Sequence, residues 1–241
     1  MRKLFEIGGL CAAACLIAIG VAALVLGING HNTVSSSLKP EQIVGTPDMT
    51  PAGIAPEVKQ VEASLATLTA KNKAAGVAFT PTSVSVPSGS VAGKLINSGD
   101  RARTFAQYMR IHALGATGGL VYAQMGRFQA KPDAPLKFTD FQGGTSDSKY
   151  AVVDPTTKQP VDNGRRNLWV TETALTTALN ASYMADRISL FGIVVGVAVL
   201  LSGIGFGVLA VGGALRNPET AIGFLRKPFT AAGGTPAVPT A

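Results

Sequence analysis

The two cysteines of this chain are the residues whose type and spacing come closest to a chemical site. Cys11 and Cys15 are four positions apart, so on a helix they share a face and could bind a metal ion or form a redox pair. They lie inside the uncharged run Ile7–Ile28, which contains no histidine or acidic side chain that could complete a metal site. Thiols in such surroundings behave as small apolar side chains. We therefore predict that both cysteines contribute to packing.

The two histidines form no catalytic group that the sequence reveals. His31 and His112 are 81 positions apart. We interpret the first as a polar residue at a membrane surface and the second as a partly buried helix residue. No Ser/His/Asp or Cys/His set can be assembled, and neither a G-x-x-x-x-G-K-[ST] nor a G-x-G-x-x-G motif occurs. We predict that the protein is not an enzyme and has no catalytic, cofactor-binding or metal-binding residues.

A net charge of +7 does not by itself indicate a nucleic-acid partner. Arg101, Arg103 and Arg110 make one predicted helix basic, and they could bind an anionic polymer or a lipid headgroup. A solvated helix face is the commoner outcome of such a pattern. We interpret the charge as the sum of two parts: the excess of Lys and Arg on the cytoplasmic side that is typical of membrane proteins, and a mildly basic outer domain. We therefore predict no nucleic-acid partner.

Two uncharged segments exceed the roughly 20 residues needed to cross a bilayer. The apolar run of the first segment is longer than that of the usual signal peptide, and no A-x-A site follows it, so we expect an uncleaved anchor. Lys and Arg residues cluster before the first segment and after the second, which predicts a cell-membrane protein with both termini cytoplasmic and the bilayer as a partner. The predicted order is a cytoplasmic N-terminus (1–6), transmembrane helix 1 (7–28), an extracytoplasmic domain (29–187), transmembrane helix 2 (188–215) and a disordered cytoplasmic tail (216–241).

Two amphipathic helices are predicted in the extracytoplasmic domain. One runs from Pro56 to about Asn72, and another is capped by Ser98 or Asp100 and runs to about Ala116. The first carries an apolar seam with spacings of 3, 4 and 3, formed by Val58, Val61, Leu65 and Leu68.

The rest of this domain has weaker signals. Residues 29–55 are polar and punctuated by proline, which predicts an extended linker, and 77–96 have a composition typical of short strands. Residues 131–164 are the least ordered in composition. The predicted fold class is a mainly α membrane protein with two antiparallel transmembrane helices, the second continuous with a long extracytoplasmic stem helix, plus a small α(+β) ectodomain.

A stripe of small side chains runs along one long predicted helix from Arg165 to Ala214. Eleven of its twelve slots are small, and the mean spacing of 3.64 positions is the period of an α-helix. Val199 fills the remaining slot, and no proline interrupts the segment. We predict one continuous helix, of which 165–187 form the stem. The small residues are Ala174, Ala178, Ala181, Ala185, Ser189, Gly192, Gly196, Gly203, Gly207, Ala210 and Ala214.

The first span carries a similar stripe, and small faces allow helix backbones to approach closely in lipid. Two arrangements fit this pattern: an antiparallel hairpin within one chain, or a seam between subunits. Tyr183 and Arg187, near the start of the second span, are predicted to be interfacial. The first stripe comprises Gly8, Cys11, Cys15, Ala18 and Ala22. The predicted helix-packing residues are Gly8, Cys15, Ala22, Ala174, Ala178, Ala181, Ala185, Gly192, Gly196, Gly203 and Gly207.

Three stretches of the chain resemble a family of actinobacterial two-pass membrane proteins of unestablished function. They are TPDMTPAGIAP at Thr46–Pro56, SGDRARTFAQYMRIHALGATGGLVYAQMGRF at Ser98–Phe128 and NGRRNLWVTETALTTALNASYMADRISLFGIVVGVAVLLSGIGF at Asn163–Phe206. The resemblance implies the two-span architecture and supplies no catalytic residue. Some members are labelled aromatic ring-opening dioxygenases. That activity needs two histidines on iron together with a Glu or two Tyr, and here His31 at the bilayer would have to be one of them. The residues of this chain therefore do not support that label.

These observations favour a structural or interaction protein that forms a homo-oligomer or accompanies an envelope protein partner. Two alternatives share the two-span topology. An oligomeric channel would need a hydrated path, whereas the second span has no polar residue beyond Ser189 and Ser202. A scaffold similar to a polysaccharide chain-length co-polymerase also has a long outer helix, but no motif for it is present.

Overall fold

The computed structural model describes residues 2–212 of the chain. It is mainly helical, with one small antiparallel sheet in which Phe128 pairs with Thr145 and Gln129 with Gly144. The helices and strands are α1 (Arg2–Leu38), α2 (Ala55–Ala74), α3 (Gly99–Ala116), β1 (Phe128–Gln129), β2 (Gly144–Thr145) and α4 (Gly164–Val211). Short 3₁₀ turns lie at Lys39–Glu41, Tyr122–Gln124, Leu136–Phe138 and Ser148–Tyr150.

The chain divides into two compact units. We call the described part of Met1–Ile28 and Leu190–Ala241 the helix hairpin, and Asn29–Ser189 the helical domain.

The two longest helices are long and apolar enough to cross a membrane. The most apolar 18-residue windows of α1 and α4 have mean hydropathies of 2.7 and 2.5, and only 17% of each window is buried. Neither window therefore resembles the core helix of a water-soluble domain. The predicted long helix is present as α4, which has no break at Arg187. Its predicted last residue, Ala214, and the predicted tail 216–241 lie outside the described residues.

The extended linker predicted for residues 29–55 is wrong in its first part. α1 continues to Leu38, and a 3₁₀ turn containing Pro40 follows it. Val34 and Leu38 lie four positions apart and are both buried, so the end of α1 contributes a face to the core of the helical domain. That burial outweighs the weak helix preference of the intervening serines.

Helices α2 and α3 match their predicted positions. The seam Val58, Val61, Leu65 and Leu68 is buried, and the Ser98 hydroxyl accepts a hydrogen bond from the backbone N–H of Arg101 as an N-cap. Two adjoining clusters form the core of the helical domain. One contains Val58, Phe105 and Tyr108, and the other contains Leu65, Leu114 and Trp169.

The strands predicted within 77–96 are wrong, because this segment forms isolated bridges only, at Ala92 and Leu95. Residues 131–164 are more organised than their composition suggested. The carboxylate of Asp140 accepts backbone hydrogen bonds from Gly126, Gln142 and Gly144, which ties β2 to the preceding loop. Local sequence does not reveal such pairing, because the groups that meet come from different turns.

Candidate functional site

Glycines bring α1 and α4 into close contact in the helix hairpin. A Cβ atom built on Gly20 would lie 2.6 Å from the backbone nitrogen of Leu200, and one built on Gly196 would lie 2.8 Å from that of Leu24. Gly203 approaches the backbone nitrogen of Ile17 equally closely, at 2.8 Å. No side chain fits at these three positions unless the helices separate.

The contacts of the hairpin follow an antiparallel order. Gly192 lies beside Gly27 at one end, and Gly207 lies beside Ala13 at the other. The predicted packing residues Gly192, Gly196, Gly203 and Gly207 therefore all lie at or near the α1 contact. On each helix, three buried positions recur at intervals of seven residues, which is the period of left-handed packing, and Gly9 is buried as well. They are Ala13, Gly20 and Gly27 on α1, and Gly196, Gly203 and Ala210 on α4.

The predicted stripe on α1 lies on a different face from this contact. Gly8, Cys15 and Ala22 are exposed within a single chain, and an added Cβ on Gly8 would meet nothing within 4 Å. The buried α1 residues are mostly glycine too, so composition alone did not distinguish the two faces. The prediction that Gly8, Cys15 and Ala22 contact a neighbouring subunit stays a prediction.

In the helical domain, the predicted small stripe of α4 points away from the core. Ala174, Ala178, Ala181 and Ala185 are all exposed. The buried face of this part of α4 instead carries larger and polar residues: Trp169, Glu172, Leu179 and Asp186.

Beside the exposed alanines runs a set of residues that we call the stem seam. Its members are spaced 4, 3, 4, 3 and 4 positions apart, as in one face of a coiled coil, and every one is exposed. Between Asn167 and Ala185 the only charged residue is Glu172, which is buried. The exposed surface of α4 over these residues is therefore uncharged. The stem seam consists of Val170, Ala174, Thr177, Ala181, Met184 and Ile188.

Trp169 holds the start of α4 to the helical domain. Its indole Nε1 donates a hydrogen bond to the backbone oxygen of Leu120 at 2.8 Å, and it also lies 3.3 Å from the hydroxyl of Thr117. Because the ring is 3% exposed, this contact fixes which face of α4 points inward.

A second anchor lies near the other end of the domain part of α4, where the buried Asp186 meets α1 and α3. Asp186 Oδ1 lies 2.6 Å from His31 Nδ1. A Cβ on Gly99 would lie 2.6 Å from the Cβ of Asp186, so only glycine lets the first turn of α3 approach this carboxylate. Burial of a carboxylate is costly unless it is paired, and His31 provides the partner.

Tyr183 and Arg187 contact the same first turns of α3. The guanidinium of Arg103 lies 4.7 Å from the centre of the Tyr183 ring, and the guanidinium of Arg187 lies 5.1 Å from the same ring centre. Arg187 also forms an ion pair with Asp100. Both residues predicted to be interfacial thus join α4 to α3 within the helical domain.

A histidine between two carboxylates joins α3, α2 and the loop before α2. His112 Nδ1 lies 2.7 Å from Glu57 Oε2, and His112 Nε2 lies 3.4 Å from Asp48 Oδ2. The Thr46 hydroxyl, and to a smaller extent the Asp48 backbone N–H and the charge of His112, lower the pKa of Asp48 below its ordinary value of 3.8 despite some burial. We call Asp48, Glu57 and His112 the His112 cluster.

Glu172 lines a small apolar cavity between α3 and α4. The cavity has a volume of about 260 Å³, and Met109, His112 and Leu175 also line it. Burial raises the pKa of Glu172 above its ordinary value of 4.5, and the nearby charge of Arg110 offsets this only in part. The Thr173 hydroxyl lies 3.4 Å from the Glu172 carboxylate.

Sequence reasoning missed both histidine contacts. His31 and Asp186 are 155 positions apart, and His112 and Glu57 are 55 apart. One signal was available: Glu172 and Asp186 are the two acidic residues of α4 and lie on the face opposite the alanines, which indicates that this face has buried partners.

No family model, curated protein or solved structure matches this chain. The packing faces and the side-chain clusters described above are therefore the features that bear on its function.

Proposed function

We propose that this protein is a two-span membrane protein of the cell envelope that assembles with copies of itself along the stem seam and has no catalytic activity. The two long apolar helices support the membrane location. The basic residues at both chain ends support cytoplasmic termini, with residues 29–187 outside. The resemblance to actinobacterial two-pass membrane proteins agrees with this architecture.

The single observation that carries the assembly is the uncharged outer face of α4 in the helical domain. A helix face in contact with water normally carries charged side chains. Here the stem seam exposes Val170, Met184 and Ile188 at 53%, 60% and 66%, with alanine and threonine between them. A surface of this kind is stabilised when another apolar face covers it.

A second copy of the chain fits this face better than a charged partner does. The seam spans roughly 27 Å and offers no charge that could select an oppositely charged surface. Copies anchored in one bilayer present their stems in the same direction, so identical residues of two seams meet at the same height. Alanine at the centre, here Ala174 and Ala181, allows two parallel helices to approach closely.

Disulfide crosslinking in native membranes tests this proposal. In a background with Cys11→Ser and Cys15→Ser, we expect Ala181→Cys to give a crosslinked dimer under mild oxidation. Thr171→Cys is the matched control, because Thr171 is exposed but lies about 100° round the helix from Val170. Equal crosslinking of the two variants would contradict the proposal.

A charge on the seam provides an independent test. Ala181 is exposed, so Ala181→Glu should leave the fold of a single chain intact while placing like charges opposite each other in the assembly. We expect wild-type protein in mild detergent to have an oligomeric mass and Ala181→Glu to have a monomeric mass. Thr171→Glu should behave as wild type. A monomeric wild-type protein would overturn the proposal.

A further inference from the structure

The His112 cluster has the composition of a metal site, with one imidazole and two carboxylates from three separate elements. A nitrogen or oxygen atom from each of Asp48, Glu57 and His112 lies within 4.8 Å of the other two. Imidazole with carboxylate is a donor set that suits divalent transition-metal ions, Zn²⁺ among them.

The two contacts of His112 differ in length, and only the shorter one has the usual length of a hydrogen bond. At 2.7 Å from Glu57 Oε2, Nδ1 can donate a hydrogen bond to this carboxylate, and Nε2 is then the nitrogen available to a metal ion. A metal ion that binds Nε2 replaces the proton there, because a histidine ligand must be unprotonated at the nitrogen that binds the metal. Nε2 lies beside the carboxylate of Asp48, so a nitrogen and an oxygen that can both bind a metal ion are close together.

The 3.4 Å between His112 Nε2 and Asp48 Oδ2 exceeds the usual length of an N–H···O hydrogen bond. It is close to the separation, about 3.3 Å, of two ligand atoms that each lie about 2.0 Å from one tetrahedral metal ion. A divalent cation between the two atoms would take the place of the Nε2 proton and would be bound by both. Glu57 would then act as the carboxylate that orients a metal-binding histidine through its other ring nitrogen.

The surrounding backbone holds these side chains in place. The Glu57 carboxylate lies so close to Gly115 of α3 that a Cβ there would collide with Oε1. Asp48 sits in a turn whose next residue, Met49, is 2% exposed and fixed by a hydrogen bond from its backbone N–H to the Thr46 oxygen. The Asp48 side chain remains 45% exposed, which leaves a route for an ion and for water ligands.

We propose that His112 Nε2 and Asp48 bind a divalent transition-metal ion such as Zn²⁺, and that Glu57 is a positioning residue that holds the imidazole in the required tautomer. The site is independent of the stem seam, and the proposal stands whether or not the chain forms oligomers.

The site can be tested on the full-length protein in mild detergent. The protein is first treated with a chelator and then titrated with Zn²⁺, and binding is measured by calorimetry. We expect one Zn²⁺ per chain. Asp48→Asn and His112→Gln should each abolish binding, and Glu57→Gln should weaken it by about 10- to 100-fold. His31→Gln is the matched control, since it removes the other histidine, and should bind as wild type. The proposal is overturned if wild type takes up no Zn²⁺, if Asp48→Asn and His112→Gln bind normally, or if His31→Gln loses binding equally.

A spectroscopic test avoids variants of the site, which could affect folding. The chain has only two histidines, so ¹⁵N-histidine labelling gives two rings, and His31→Gln assigns them. Zn²⁺ should shift the Nε2 signal of His112 and leave its Nδ1 protonated. A spectrum that does not change with Zn²⁺, or in which Nδ1 changes instead, would overturn the proposal.

Discussion

Glu172 is a buried carboxylic acid whose environment favours the neutral form. Because its folded-state pKa is raised above 4.5, the folded state binds more protons than the unfolded state between these two values, and stability falls as the pH rises through that window. Glu172→Gln removes the ionisation. We expect a higher unfolding midpoint than wild type at pH 7.5 and a difference that shrinks as the pH approaches 4.5.

The fluorescence of Trp169 can follow this unfolding, since it is the only tryptophan and lies one turn before Glu172. Glu62→Gln is the matched control, because Glu62 is exposed on α2 and should show no such pH-dependent gain. A Glu172→Gln variant less stable than wild type at pH 7.5 would show that the charged form is favourable after all.

At the residue scale, the sequence predicted what depends on near neighbours. The Ser98 cap and the buried Val58 seam follow from spacings of three or four positions. The partners of His31 and His112 could not be predicted, because they are brought together only by the packing of distant helices. The sequence therefore predicts no metal-binding residues, because it does not reveal that Asp48, Glu57 and His112 lie close together.

At the scale of an element, Gly203 and Gly205 separate the effect of packing from that of helix preference. Both lie on α4, but an added Cβ on Gly203 would lie 2.8 Å from the Ile17 backbone, whereas one on Gly205 meets nothing within 4 Å. Gly203→Ala should weaken the hairpin by about 1–3 kcal/mol, and Gly205→Ala should not.

A designed disulfide reports on this contact. A Cβ on Gly207 lies 3.7 Å from the Cβ of Ala13, which is within the range of a disulfide. With Cys11 and Cys15 changed to serine, Ala13→Cys with Gly207→Cys should oxidise readily. Gly203→Ala should slow that reaction by at least about fivefold and Gly205→Ala should leave it unchanged. Equal rates would show that Gly203 is not needed for close approach.

The positions of the helices could be predicted from the sequence, but their buried faces could not. Periodicity predicts α2, α3 and α4, but it does not say which of two faces is buried. On α4 the predicted stripe coincides with the α1 contact at Gly196 and Gly203 and is exposed at Ala174 and Ala181, because a repeat of 3.64 and a repeat of 3.5 drift apart along a long helix.

At the scale of the whole molecule, the distribution of basic residues predicts which side of the membrane each segment occupies. We expect Lys59→Cys, exposed on α2, to react with a membrane-impermeant maleimide in intact cells. Thr230→Cys in the tail should react only after the membrane is permeabilised. Both variants require the background without Cys11 and Cys15. The reverse pattern of labelling would invert the proposed orientation.

The two helices that are long and apolar enough to cross a membrane could be predicted from the sequence, because uncharged runs of 20 or more residues favour such helices. The size of the helical domain could not, since the continuation of α1 to Leu38 depends on the burial of Val34 and Leu38 against residues far away in the chain.

Because the hairpin contact recurs every seven residues, it depends on the number of residues between successive contact positions of each helix. A change in that number should disturb the contact more than an exchange of an outward-pointing side chain. One residue added within Gly192–Gly207 would rotate the following part of α4 by about 100° and move its later glycines away from α1. Replacement of an outward-pointing leucine would leave the contact between α1 and α4 unchanged. Variation between relatives of this chain should therefore accumulate as exchanges of bulky outward residues, while insertions and deletions fall elsewhere.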